Sequence, residues 1–330
     1  MPTAVRRFIL LLVIVPVIVT LAVAAFTWAS ADPDPHDLPI GASGPPGAIE
    51  AIEGKLATHP DAFDLHEYAS AGEAREAIEN REIYGAHVQS ESGPQLLTAS
   101  AASSAVTQIL TTTLASPDAG GTPPAVVDVV PADSDDPRGS ALGSLVLPLV
   151  LVSVITAVIV LLVARPGWEQ VGMIASAALV GALVAVAIAQ GGFGVLQGNW
   201  ALNVVAPALT IAAIAATIVG LTSAFGRIGL VAVAPLMIFL GNPWSGAMSS
   251  PHLLPEPAGL IGQLLPPGAG STALRSLSFF DGAGSGTPIL VLSLWIALGV
   301  GGICIGAMRR RDVNREMADT VRPLVKSMER

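Results

Sequence analysis

Residues 170–226 read QVGMIASAALVGALVAVAIAQGGFGVLQGNWALNVVAPALTIAAIAATIVGLTSAFG, a stretch of 57 residues without Asp, Glu, Lys or Arg. A soluble fold does not keep so long a stretch free of charge and still present a hydrated surface. A helix crosses a bilayer with about 20 apolar residues, so the stretch holds two crossings and a short turn. Further charge-free apolar runs lie at Phe8–Ala31, Gly139–Ala164 and Gly282–Met308. The sequence therefore predicts a polytopic α-helical membrane protein.

The composition agrees with a lipid environment and excludes several classes of partner. Hydrophobic residues make up 52% of the chain and charged residues 12%, below the roughly 25% charged residues of soluble domains. The single cysteine, Cys304, leaves no disulfide framework or thiolate metal cluster within one chain. Basic residues are few and do not alternate with aromatic residues as they do on nucleic-acid-binding faces. Membrane lipid is thus an expected partner, and nucleic acid is not.

The apolar runs and the basic residues between them predict the topology. We predict six spans, at residues 8–28, 141–164, 170–190, 201–223, 227–241 and 287–308, of which the fifth is the shortest. The segments on the side of both termini carry eleven of the 16 basic residues and five of the 25 acids. The segments on the other side carry five basic residues and 20 acids. Because basic residues concentrate in cytoplasmic segments, we expect both termini in the cytoplasm and the protein in the plasma membrane.

The first span has two interpretations. Arg6 and Arg7, an apolar core and then Ala29-Ser30-Ala31 are typical of a cleaved signal peptide. The core, however, runs for about twenty residues, longer than the ~7–15 of a signal peptide. We expect residues 1–29 to stay as an N-terminal anchor, and in both cases the following domain is extracytoplasmic.

Residues 30–140 form the predicted sheet domain, a small extracytoplasmic α/β domain between spans one and two. Strands and helices alternate along it. Ser70 and Glu73 form a capping-box pattern at one helix start. The predicted strands are Leu38–Ala42, Phe63–Glu67, Ile83–Val88 and Gln95–Thr98, and the predicted helices are Ala48–Leu56, Ser70–Asn80 and Ser100–Leu114. Residues 117–137 are rich in Pro, Gly and Asp and predict a loose tether back to the five-span region at 141–308.

The sheet domain carries little recognisable chemistry. It has no Gly-rich phosphate loop and no Ser–His–Asp arrangement with supporting context, and the whole chain has no P-loop motif. The side chains with metal-binding atoms match no zinc-ligand spacing and read better as a solvated acidic surface; they are His59, Asp61, His66, Glu67 and His87. We therefore expect no enzyme activity, no cofactor and no metal site.

Two passages of the sequence resemble type-2 ABC exporter permeases, and most closely the phage-infection-protein-like membrane proteins grouped with them. The first is ASAGEAREAIENREIYGAHV at residues 69–88, where a helix rich in Glu, Ala and Arg leads into a strand with Tyr-Gly-Ala. The second combines GNPWSG at 241–246, LLPE at 253–256, GQLLPPG at 262–268 and Leu274-Arg275. The order of one span, an extracytoplasmic domain and five spans is also similar.

The resemblance implies a permease subunit that exports a hydrophobic or lipid-linked substrate together with a separate ATPase subunit, as a homodimer. Functional residues are expected first in the Pro/Gly-rich segment, residues 242–286, between the last two spans. These candidates are Asn242, Pro243, Gly246, Pro266, Pro267, Gly268 and Arg275, joined by Tyr84 and Gly85 in the sheet domain. Arg165, Trp168 and Arg227, in the predicted cytoplasmic turns, are candidates for contact with a cytoplasmic partner.

A second function stays open at this point. The predicted cytoplasmic turns, Arg165–Glu169 and Ala224–Arg227, are short for docking an ATPase, and residues 309–330 add only a basic tail. The alternative is a non-transporting scaffold or receptor that presents the sheet domain to envelope or secretion partners.

Overall fold

The computed structural model describes residues 3–31, 34–90, 93–115, 123–134, 136 and 139–328. The helices in these ranges are α1 Thr3–Ala31, α2 Pro46–Leu56, α3 Ala71–Glu79, α4 Ser104–Leu114, α5 Ser140–Ser144, α6 Val146–Val163, α7 Trp168–Val186, α8 Trp200–Phe225, α9 Ile228–Pro235, α10 Ala258–Leu264, α11 Pro266–Phe279 and α12 Gly286–Met328. The strands are β1 Leu38–Ser43, β2 Phe63–Glu67, β3 Gly85–Ser90, β4 Gly93–Thr98 and β5 Ala125–Asp128. Short π-helical segments, Ala187–Gly192 and Leu236–Gly241, extend α7 and α9.

The predicted α/β character of residues 30–140 is confirmed. The five strands form one sheet in the order β2-β1-β3-β4-β5, in which only the β3–β4 pair is antiparallel. Helices α2 and α4 pack on one face of the sheet, and α3 packs on the other. As the capping pattern predicts, the Ser70 hydroxyl accepts a hydrogen bond from the Glu73 amide at the start of α3.

The prediction of a loose tether over residues 117–137 is wrong for part of that range. Strand β5 pairs in parallel with β4 and adds a fifth strand to the sheet. The Asp128 carboxylate, at the end of β5, accepts hydrogen bonds from the backbone amide and hydroxyl of Ser100. The only local signal for this strand is Val126-Val127 between prolines and aspartates. This pattern is too short to predict a strand by itself, and pairing with β4 stabilises the extended conformation.

Among the described residues, four helical stretches are long and apolar enough to cross a membrane: Ala141–Val163, Trp168–Gly192, Trp200–Phe225 and Gly286–Arg310. The first and fifth predicted spans stay predictions. Two shorter apolar helices occur among the described residues. One is Val15–Ala29, which is part of α1, and the other is Ile228–Gly241, which is α9 with its π-helical extension. Helix α12 continues beyond the predicted end of the sixth span at residue 308 and ends at Met328.

Helix α8 is the centre of the bundle and packs against α6, α7, α9, α11 and α12. Its closest neighbour is α12, which runs parallel to it. A Cβ at Gly302 would lie 2.6 Å from the backbone carbon of Gly220, so these glycines allow the two backbones to touch. Small residues let helices approach in this way where lipid removes the hydrophobic drive for association.

The Pro/Gly-rich segment folds into a helical hairpin, α10 and α11, inserted among the long helices. The Trp295 indole N–H donates to the carbonyl of Leu264, at the bend of the hairpin, over 2.8 Å. Trp295 is the tenth residue of α12, so the bend lies about 13 Å along that helix. This depth is close to half of the ~30 Å apolar layer. The hairpin enters the bundle from the end that carries the sheet domain, called the domain side below.

Candidate functional site

The sheet domain is fixed to the inserted hairpin by Arg81. Its Nη1 donates to the Ser276 hydroxyl over 2.6 Å and to the Thr272 carbonyl over 3.1 Å, both on α11. Its guanidinium lies 5.1 Å from the ring centroid of Phe280, a cation–π contact. Arg81 has φ +62°, a left-handed conformation that costs a non-glycine residue free energy. These contacts offset that cost, and they join the domain to the membrane helices.

Arg275 of α11 is buried beside this junction, with 5% of its surface exposed. Its Nη2 donates to the Ala247 carbonyl over 2.8 Å. No ion pair of Arg275 occurs among the described residues. Burial and the nearby Arg81 cation lower the pKa of Arg275 to about 10, so it remains charged at neutral pH.

Tyr84 forms a second contact between the sheet domain and the Pro/Gly-rich segment. The Ser250 hydroxyl donates to the Tyr84 oxygen over 2.8 Å, and the Tyr84 ring stands edge-on to His252 with centroids 5.6 Å apart. His252 in turn contacts the residues after α1, through the His36 amide, which donates to its carbonyl. Burial lowers the pKa of His252, partly offset by the carbonyl of His36 and by Asp37. The junction therefore joins α1, the sheet domain and the Pro/Gly-rich segment.

A small cavity, the Arg275 pocket, lies under the sheet domain next to this junction. Its volume is about 20 Å³, and it is partly open. Lining side chains come from the turn before α4 and its first residue (Ser100, Ser103, Ser104), from Asp133 and Asp136, from the Pro/Gly-rich segment (Met248, Ser249) and from Arg275. The pocket combines one buried arginine, a helix N-terminus, hydroxyl groups and two carboxylates.

A larger opening, the α1–α6 cleft, lies beside that pocket. It has a volume of about 590 Å³ and separates α1 from α5 and the first turn of α6. Its apolar lining includes Phe26, Leu147, Pro148 and Leu254, and the remaining wall comes from residues 242–249. Met248 and Ser249 line both the cleft and the Arg275 pocket, so the two spaces are neighbours.

The structure brings some of the candidate residues of the Pro/Gly-rich segment to the cleft. Asn242, Pro243 and Gly246 line it. Gly246 has φ +65°, which a residue with a side chain rarely adopts, and a Cβ there would lie 2.5 Å from the Pro251 nitrogen. These residues shape the wall that separates the cleft from the core of the bundle.

The other candidate residues of the Pro/Gly-rich segment and the sheet domain are buried and have packing roles. Pro266 and Pro267 begin α11 in the position that proline favours, and both are buried. Gly268 packs on the backbone of Gly262 in α10, which holds the hairpin closed. Gly85 lies in β3, where a Cβ would be 2.7 Å from the Leu97 carbonyl oxygen. Arg275 is thus the member of the predicted set with chemistry that is directed into a cavity.

The candidates for contact with a cytoplasmic partner lie at the end of the bundle opposite the domain side. Arg165 and Trp168 are exposed where α6 turns into α7, and 74% of the Trp168 surface is accessible. Arg227 is exposed at the turn between α8 and α9. Arg309 at the same end is used internally, because its Nη1 donates to the Ala224 carbonyl at the end of α8.

Sequence reasoning missed Arg81 and His252 as residues of the junction. Arg81 lies inside the passage at 69–88 quoted above, and it is one of the few basic residues in the acidic domain. That scarcity was its only signal, since its partners are nearly 200 residues away in the sequence. His252 has no local pattern that distinguishes it from a loop histidine.

Comparison of the chain with models of protein families, with curated proteins and with solved structures found no match. The resemblance to type-2 ABC exporter permeases therefore stays a prediction. Among the described residues, no group of three or more His, Cys, Asp or Glu side chains is arranged to hold a metal ion. The Arg275 pocket and the α1–α6 cleft are therefore the candidate ligand sites of this protein.

Proposed function

We propose that this chain is the permease subunit of an ABC-type exporter, which moves a hydrophobic or lipid-linked molecule out across the plasma membrane with a separate ATPase. The observation that carries the proposal is the α1–α6 cleft. Its volume of about 590 Å³ is within the ~300–1,000 Å³ typical of ligand sites. Its walls are mainly apolar, and such a lining favours a hydrocarbon chain.

The position of the cleft supports lateral entry from lipid. It is bounded by α1 on one side and by Leu147 and Pro148 of α6 on the other, at the level of the first turn of α6. Leu147 is 39% exposed, so the wall is accessible from the lipid. A hydrocarbon chain enters such a site without leaving an apolar environment, which avoids the cost of exposing it to water.

The loose attachment of α1 supports a cleft that changes its width. Within the bundle, α1 packs mainly against residues 236–245, through Trp28 and Trp244 whose rings stand edge-on 5.7 Å apart. Segments with few buried contacts are those that open at low free-energy cost. Movement of α1 away from α6 would widen the cleft and leave the packed core of α8 and α12 unchanged.

Coupling to an ATPase requires a contact surface at the opposite end of the bundle. Trp168, Arg165 and Arg227 are exposed there, and an exposed Trp with neighbouring Arg residues is a common composition of interface centres. The proposal assigns these three residues to the partner contact.

The test is purification of the tagged protein from its native host in mild detergent, with mass spectrometry of the co-purified proteins. The proposal predicts a stoichiometric P-loop ATPase that is lost from the double variant Trp168→Ala, Arg227→Ala. The matched control is Trp200→Ala, because Trp200 is also exposed but lies at the domain-side end of α8. Repeated purification without an ATPase, or loss of the ATPase from the control as well, would contradict the proposal.

The alternative function is a scaffold or receptor that presents the sheet domain to envelope partners. The specific observation in its favour is the firm junction of Arg81 and Tyr84 with the Pro/Gly-rich segment, which holds the domain in one orientation. The short turns at the opposite end also favour it. Co-purification of envelope proteins in place of an ATPase would support this function.

A further inference from the structure

We infer that the ligand of the α1–α6 cleft is a long-chain carboxylate, with its hydrocarbon chain in the cleft and its carboxylate on the guanidinium of Arg275. The inference rests on the proposed function, because it names the class of molecule that the cleft takes. It starts from the adjacency of the two spaces, which share Met248 and Ser249 as lining residues.

The first argument is the charge of Arg275. A guanidinium has five N–H donors, and the one hydrogen bond of Arg275 among the described residues goes to the Ala247 carbonyl. The nearby Arg81 has the same sign and disfavours the charge of Arg275. A buried cation without an acidic partner is costly. A bound carboxylate would supply that partner in the bidentate geometry that arginine favours.

The second argument is the electrostatics of the pocket wall. The N-terminal turn of α4, which is capped by Ser103, lines the pocket, and a helix N-terminus carries partial positive charge. Two aspartates also line it and oppose this effect, although each carboxylate accepts a hydrogen bond from a residue outside the lining. Asp136 accepts from the Ala141 amide over 2.8 Å, and Asp133 accepts from the Gln197 amide group over 3.1 Å.

The third argument is size. The Arg275 pocket has a volume of about 20 Å³, enough for a group near the size of one water molecule. A carboxylate, whose two oxygens are the least that an anionic headgroup has to place, suits so small and partly open a space better than a phosphate with its additional oxygens. Met248, which is largely exposed between the two spaces, would contact the first carbons of the chain.

The test is equilibrium binding to the full-length protein in nanodiscs of phosphatidylcholine. Radiolabelled oleic acid is compared at mildly alkaline pH with oleyl alcohol, which has the same chain without the charge, and with oleyl phosphate. Acetate tests the carboxylate without a chain. We expect oleic acid to bind at least about tenfold more tightly than oleyl alcohol, as a buried charge-assisted hydrogen bond implies, and acetate to bind weakly.

Two sets of variants locate the site. Arg275→Gln should reduce oleic acid binding to the level of oleyl alcohol, and Arg275→Lys should retain part of the preference. Leu147→Trp should lower binding of both probes by filling the cleft. Leu151→Trp is its matched control, one turn further along α6, similarly exposed and outside the cleft lining. Asp133→Asn should strengthen oleic acid binding, because it removes a negative charge from the pocket wall.

The results distinguish failure of the carboxylate inference from failure of the proposed function. Equal binding of oleic acid and oleyl alcohol by the unmodified protein would overturn the carboxylate inference even if Arg275→Gln failed to fold. Tighter binding of oleyl phosphate, or strong binding of acetate alone, would also overturn it. Sensitivity of both probes to Leu147→Trp would still leave the cleft and the proposed function in place. Binding unaffected by Leu147→Trp would remove the support that the cleft gives to both proposals.

Discussion

Helices α8 and α1 are both strongly apolar, yet they occupy opposite environments in the molecule. In α8, 72% of the most apolar window is buried inside the bundle. In α1, side chains such as Leu21 and Val23 are about 60% exposed, and among the described residues it packs mainly on residues 236–245. The buried face of α8 combines Gly, Ala and Thr with branched residues such as Ile214 and Ile218, whereas the large side chains that α1 exposes are mostly Val and Leu.

This contrast shows how the same hydrophobicity produces a fixed core and a loosely held flank. Small residues allow backbone contact between α8 and α12 and create a rigid unit. Helix α1 borders the cleft opposite the first turn of α6, and its large side chains are mostly exposed. The proposed ligand site therefore lies at the boundary between the part of the bundle that is fixed and the part that is free to move.

The largest effect is expected from a substitution that breaks the fixed core. Gly302→Leu places a Cβ about 2.6 Å from the Gly220 backbone, which cannot move as a flexible side chain would. Overpacking costs about 1–3 kcal/mol, and we expect the upper end of that range because backbone is displaced. The measurement is the thermal unfolding midpoint in detergent.

The neighbouring Gly301 provides the control in the same helix. A Cβ at Gly301 meets no atom within 4 Å, and leucine has a better helix propensity than glycine. Gly301→Leu should therefore leave the midpoint unchanged or raise it slightly. Equal destabilisation by both variants would show that α8 and α12 are not in backbone contact.

A smaller effect is expected from loosening the sheet domain. Arg81→Ala removes two hydrogen bonds to α11 and the contact with the Phe280 ring, which together contribute about 2 kcal/mol. Relief of the repulsion with Arg275 offsets part of this loss. Hydrogen exchange of α11 should increase while that of α8 and α12 is unchanged.

Arg75→Ala is the control for that experiment, because Arg75 lies on α3 and is exposed. It should leave the hydrogen exchange of α11 as it is in the unmodified protein. An unchanged exchange rate in Arg81→Ala would mean that the junction does not depend on this cation.

The smallest effect is expected from pH. The folded state lowers the pKa of His252 below its ordinary value of 6.5, so the unfolded chain binds more protons below that pH. The stability of the junction is then complete above about pH 6.5 and falls as the pH drops through the folded pKa. Asp37 limits the shift, and His36, Tyr84 and Glu256 are the other titratable groups around His252.

Thermal unfolding at neutral and mildly acidic pH checks this prediction. The unfolding midpoint of the unmodified protein should fall on acidification by more than that of His252→Gln, in which this titration is absent. The same decrease in both proteins would assign the pH dependence to other groups.

The local features of the fold could be predicted from the sequence, but contacts between residues far apart in the sequence could not. Charge-free runs predicted the long apolar helices, and the Ser70 cap and the alternation of strands predicted most of the sheet domain. Strand β5 and the packing of Arg81 on Phe280 depend on contacts between residues far apart in the sequence. A local sequence pattern does not predict such contacts. Arg275 was predicted as a candidate through the resemblance of the passage that ends in Leu274-Arg275, but its burial beside a pocket required the structure.

The most direct test of the contrast between core and flank is a pair of distances measured by electron spin resonance in nanodiscs. With Cys304→Ala as background, spin labels at Leu21→Cys and Ile155→Cys report the separation of α1 and α6, and labels at Leu202→Cys and Leu298→Cys report that of α8 and α12. All four positions are exposed. A broad α1–α6 distribution that narrows when oleic acid is added, beside a narrow and unchanged α8–α12 distribution, is the predicted result. Two equally narrow distributions, neither affected by oleic acid, would contradict a mobile flank and a ligand in the cleft.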